Sequence, residues 1–115
     1  MKFLMQIFQG EALEAWARLS EEEQQGIAAG YAALNETPGV TAGEWLAQPE
    51  AATTVRVEGG ATVTTDGPFA ETKEALGGYF LFEGDDLDAA IAVAATVPAT
   101  RFGGAVEIRP LVQYS

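Results

Sequence analysis

The chain contains neither cysteine nor histidine. The first absence excludes disulfides, thiolate metal sites and cysteine nucleophiles. The second removes the commonest transition-metal ligand, the usual acid–base group near neutral pH and the central member of a Ser-His-Asp triad. Positive charge is scarce as well: six Lys and Arg stand against seventeen Asp and Glu, for a formal net charge of −11. Phosphate backbones and anionic membrane surfaces are repelled over most of such a surface, so no direct nucleic-acid or membrane partner is expected. No apolar run approaches the ~18–20 residues that span a bilayer, and Lys2 precedes a short alternating segment rather than a long apolar one. A cytoplasmic protein is therefore expected.

What is present suits one domain over residues 1–115, a length that supports a single hydrophobic core. Lys2 to Phe8 alternates, with Phe3, Met5 and Ile7 on one face and Leu4, Gln6 and Phe8 on the other, as in a strand covered on both sides. Gln6 is then either hydrogen-bonded in a core or lines a cavity between subunits. Glu11 to Leu19 reads as a short helix presenting Leu13, Trp16 and Ala17. Ser20 and Glu23 have the spacing of a capping box and open a second helix with Ile27, Tyr31 and Leu34 inward. Gly26 and Gly30, poor helix formers one turn apart, suggest close packing or simple tolerance. Pro38 ends this helix.

Val40 to Leu46 is the next expected strand, followed by a hairpin of Thr53 to Glu58 and Thr62 to Asp66 around Gly59-Gly60. A loop of Gly59, Gly60 and Ala61 would set Val57 opposite Val63 and keep apolar residues on one face, so that register is expected over the two-residue alternative. Tyr79 to Glu83 is an aromatic-rich strand entered through Gly77-Gly78. Asp85 or Asp86 caps a helix with an apolar face of Leu87, Ala90, Ile91 and Ala94, and Ala105 to Leu111 forms the last strand. The order strand, helix, strand, hairpin, strand, helix, strand predicts an α+β fold, its two main helices covering one face of an antiparallel sheet. The other face needs a cover.

The chemistry gathers around Asp66-Gly67-Pro68-Phe69-Ala70-Glu71-Thr72-Lys73-Glu74. The expected register places Arg56 diagonal to Asp66, either as an ion pair holding the turn or as a site for a polar or anionic molecule. Asp66, Glu71 and Lys73 are candidate acid–base residues, to converge with Tyr79 on a small pocket; a solvated turn with local ion pairs is the other reading. Phe69 is an anchor beneath the turn or a ligand contact, and Tyr31 reaches the same pocket or stays in the core. Gly77-Gly78 would let a backbone approach a ligand closely. Asp85, Asp86 and Asp88 lack the spacing of a calcium loop, and no metal or cofactor is expected.

Asp66-Gly67-Pro68-Phe69, together with Thr53-Thr54-Val55-Arg56-Val57 and Val106-Glu107-Ile108-Arg109-Pro110, resembles the YCII-related proteins of the DGPF type. The resemblance implies a ferredoxin-like antiparallel sheet and a homodimer of the dimeric α+β barrel type, in which two sheets meet face to face. It implies no single reaction. Some YCII-like proteins are thought to pair a histidine with an aspartate, and one branch includes a dehydrochlorinase of a chlorinated hydroxyquinol; this chain has no such histidine. Genes of DGPF-type proteins often neighbour those of extracytoplasmic function sigma factors, which implies a regulatory protein partner. Two functions are carried forward. One is a dimeric binding protein for a small polar or anionic molecule, and the other is a cofactor-independent lyase or isomerase with Asp66 or Glu71 as base and Lys73 or Arg56 stabilising negative charge.

Overall fold

In the computed structural model, the described residues are 1–68 and 75–112, apart from the side chains of residues 12, 13 and 42. The strands are β1 (Lys2–Phe8), β2 (Val40–Trp45), β3 (Thr53–Glu58), β4 (Ala61–Asp66), β5 (Leu76–Glu83) and β6 (Ala105–Pro110). The helices are α1 (Ala12–Arg18), α2 (Glu21–Asn35) and α3 (Leu87–Ala94), with 3-10 turns at Pro49–Ala51 and Pro98–Arg101.

Four strands form one sheet in the order β2-β5-β1-β6, every neighbour antiparallel. Each of the two helical crossovers thus joins strands separated by one intervening strand, the arrangement of a ferredoxin-like α+β fold. Alternation along β1 and β5 sends Phe3, Met5, Ile7, Phe80 and Phe82 to the helical side, where they pack with Leu34, Ala90, Ala94 and Val97. The Phe3 and Phe82 rings stack with centroids 6.4 Å apart. The opposite face carries half-buried Leu4, Gln6 and Phe8 beside exposed Tyr79 and Leu81, with Glu44, Glu107 and Arg109 at the flanking register positions and no described helix over it.

The helix starts follow from their caps. Ser20 Oγ accepts from the Glu23 N–H at 3.1 Å while Glu23 Oε1 accepts from the Ser20 N–H at 3.1 Å, completing the capping box. Asp86 caps α3 by accepting from the Ala89 N–H at 2.9 Å. The inward face of α3 is narrower than its apolar pattern suggests: Ala90 and Ala94 are buried, but Leu87 and Ile91 remain about half exposed. Small alanines bring this helix close to the sheet, and the larger residues flank the contact. On α2, Gly30 sits where an added Cβ would lie 3.0 Å from Pro98 Cγ, whereas Gly26 faces open space. Only the former is a packing requirement.

The hairpin of β3 and β4 forms a separate two-stranded sheet inserted between β2 and β5. Its register corrects the expected one: Glu58 pairs with Ala61, Val57 with Thr62 and Arg56 with Val63, around the two-residue turn Gly59-Gly60. Both glycines have positive φ, 57° and 80°. A type I′ turn needs this at both central positions, and its twist matches that of the strands. The apolar-matching argument assumed a buried face, and this hairpin has none: Val55 and Val57 are 59% and 70% exposed.

The molecule measures 51 × 44 × 19 Å with a radius of gyration of 16.3 Å, against about 13 Å for a compact chain of this length. The thin dimension is that of one helix layer on one sheet, and the excess spread comes with the projecting hairpin. The insertion begins and ends at one place, because the Leu46 N–H donates to the Gly77 carbonyl at 2.9 Å.

Candidate functional site

The residues singled out by sequence do not all meet. Arg56 and Asp66 lie on opposite faces of the hairpin, since Asp66 pairs with Thr53 on the Val55 and Val57 face while Arg56 pairs with Val63 on the other. The expected diagonal contact is thereby removed; Arg56 Nη1 lies instead 4.0 Å from Glu58 Oε1, both side chains exposed. The base of the hairpin is tied by Thr54 Oγ1, which donates to the Gly67 carbonyl at 2.8 Å, and by the Gly67 N–H, which donates to the Ala52 carbonyl at 2.7 Å. Phe69, Glu71 and Lys73 lie outside the described residues. Tyr79 and Tyr31 belong to different layers, yet both border a small void of about 40 Å³ between α2 and β2. Tyr79 stands between Gln6 and Glu44 on the open face, and Tyr31 belongs to the helical layer.

A cleft of about 450 Å³ opens on the helical side. Trp16 of α1, Tyr31 of α2, Trp45 of β2 and Phe102 beyond the second 3-10 turn supply its aromatic walls, with Pro98 and Gln9 completing the rim. Trp45 meets Tyr31 edge to face, ring centroids 4.8 Å apart and planes at 83°, a favourable arrangement for two aromatic quadrupoles. Burial pushes the Tyr31 phenol above its ordinary pKa, with a backbone hydrogen bond at Ala99 pulling the other way. None of the described lining residues carries a charge.

The glycine pair before Tyr79 shapes this cleft from below. A Cβ at Gly77 would lie 2.7 Å from the Gln9 side chain, and one at Gly78 would lie 2.8 Å from the Trp45 indole. The close approach expected of a ligand is made by the protein's own side chains, both of them cleft walls. Gln9 also connects the cleft to the motif loop, because its N–H donates to the carbonyl of Ala75, just after residues 69–74. Trp16 and Trp45, the chain's only tryptophans, are 40% and 53% exposed. Exposed indoles gathered on one concave surface mark binding surfaces. That pairing was the signal missed in the sequence, where residues 16 and 45 belong to different elements.

Other features offer less chemistry. The void between α2 and β2 has room for little more than a water molecule. Among the described residues no three Asp or Glu side chains gather as a metal-holding group, and no helix is long and apolar enough to cross a membrane.

Fold and cleft together define a ferredoxin-like α+β protein with an aromatic pocket on its helical face and an uncovered sheet behind. The chain belongs to the YCII-related family, whose domain model matches residues 1–115. It is also similar to an uncharacterized protein of Rhizobium meliloti (strain 1021), with 43% identity over 70 residues. That match covers 60% of this chain and 56% of the relative, so the similarity spans little more than half of either protein.

Proposed function

We propose that this protein is a dimeric small-molecule-binding protein whose ligand is a planar, largely uncharged compound held in the helical-side cleft. The carrying observation is the cleft itself: about 450 Å³ walled by Trp16, Tyr31, Trp45 and Phe102, with no charge among its described lining residues. Its volume falls within the range of ordinary ligand pockets, and aromatic walls favour stacking. Gln9 and Tyr31, both lining the cleft, offer polar groups that could orient a ring bearing a hydroxyl or carbonyl group. The sequence offered Arg56 beside Asp66 either as an ion pair holding the turn or as a site for a polar or anionic molecule. With those residues on opposite hairpin faces, the uncharged cleft supports a different ligand class. Dimer formation is supported by the sheet face opposite the helices, where Leu4, Phe8, Tyr79 and Leu81 lie in a band flanked by Glu44, Glu107 and Arg109; a second sheet would bury that band.

Because both tryptophans line the cleft, indole fluorescence reports its occupancy directly. A thermal-shift and fluorescence screen of planar neutral compounds against small anionic metabolites tests the reading. Neutral aromatics are expected to raise the melting temperature and change the emission, and Trp45→Ala to weaken their binding by about tenfold or more. Stabilising compounds that bind wild type, Trp16→Ala and Trp45→Ala equally would place the ligand elsewhere and defeat the proposal.

A further inference from the structure

The projecting hairpin is two-sided. Thr53, Val55, Val57, Thr62, Thr64 and Asp66 share one face, on which the carboxylate at the base is the only charge; Arg56 and Glu58 occupy the other with Val63. Such sidedness is what an antiparallel sheet shows when one face is packed and the other solvated, yet Val55 and Val57 are uncovered in the single chain. A lone two-stranded hairpin is at best marginally stable in water. Something must therefore hold this one.

We infer that the Val55 and Val57 face of the hairpin clasps a second copy of this chain, making the hairpin an arm exchanged across the dimer. This rests on the dimer reading above. The area required favours that occupant. Four strands of the open sheet face cover roughly 20 × 22 Å, or about 440 Å² in projection, a small footprint for an interface that typically buries ~800 Å² of accessible surface per partner. One face of the arm adds roughly 20 × 10 Å. In a two-fold dimer each protomer both gives an arm and receives one, so the contribution counts twice and nearly doubles that footprint. The charged Arg56 and Glu58 face then points to solvent.

Sedimentation equilibrium and light scattering over a concentration series test this with matched substitutions. Val57→Asp is expected to raise the dimer dissociation constant ~30-fold or more, as loss of a central contact does. Val63→Asp, the same change on the other face, should leave it within about threefold, as at an interface rim. Leu81→Asp on the sheet should dissociate the dimer and serves as reference. Circular dichroism checks folding, and a labelling assay covers a Val57→Asp chain that fails to fold. The sequence has no cysteine, so Val55→Cys gives one thiol whose maleimide reactivity should fall as protein concentration rises through dimer formation. If Leu81→Asp dissociates the dimer while Val57→Asp does not, or the thiol reacts equally at all concentrations of a dimeric protein, the arm inference is overturned and the dimer stands. Wild type monomeric at every concentration overturns both.

Discussion

Glycine at position 39 shows how much one missing carbon can decide. Its φ of 88° lies in the left-handed region, and an added Cβ would run into the Glu83 carbonyl and the Phe82 ring. Gly39 also accepts a hydrogen bond from the Glu83 N–H at 2.9 Å as the chain turns into β2. Gly39→Ala should therefore cost about 2–4 kcal/mol, read as a lowered denaturation midpoint with unchanged slope. A loss below ~0.5 kcal/mol would mean that this turn relaxes freely. Residues of this kind are poorly legible in sequence, because Gly39 lies within a Thr-Pro-Gly stretch that reads only as a turn. Trp16, Trp45 and Gln9 were illegible for a related reason: each looks ordinary within its own segment, and only the fold brings them to one cleft.

The elements themselves were mostly readable, since their signals are local. Ser20 and Glu23 formed the capping box their spacing announced, and the alternation of Lys2 to Phe8 separated buried from open-face residues as written. That cap also sets a pH dependence. Hydrogen bonds from Ser20 hold the Glu23 carboxyl below its ordinary pKa, mainly through the backbone N–H. A depressed carboxylate stabilises the fold above the pKa it has in the unfolded chain and loses that contribution as pH falls through its lower folded value. Thermal melts between about pH 5 and pH 3 should show wild type losing stability relative to Glu23→Gln. Ser20→Ala should cost about 1 kcal/mol at neutral pH; parallel acid profiles for wild type and Glu23→Gln would show that the carboxylate adds nothing. The hairpin register failed at this same scale because apolar matching selects a register only where a face is buried, whereas two consecutive positive-φ glycines select it anywhere.

At the scale of the molecule, the order of elements was enough to read an α+β fold with helices on one face, and the uncovered sheet followed from counting two main helices. The proposed dimer would have to form against charge, for each chain carries a formal −11. Raising ionic strength from about 0.01 to 0.15 M shortens the Debye length from ~30 to ~8 Å, so dimer affinity should rise with salt in sedimentation equilibrium. Weakening would instead reveal ion pairs across the interface. The hydrogen bond from Leu46 to Gly77 has a wider meaning. It closes the stem of everything between β2 and β5, so a tight turn joining those two residues would complete a β-hairpin and leave the four-stranded fold continuous. The intervening stretch is in that sense a cassette, closed at its stem by one backbone hydrogen bond and separable from the register of the framework around it.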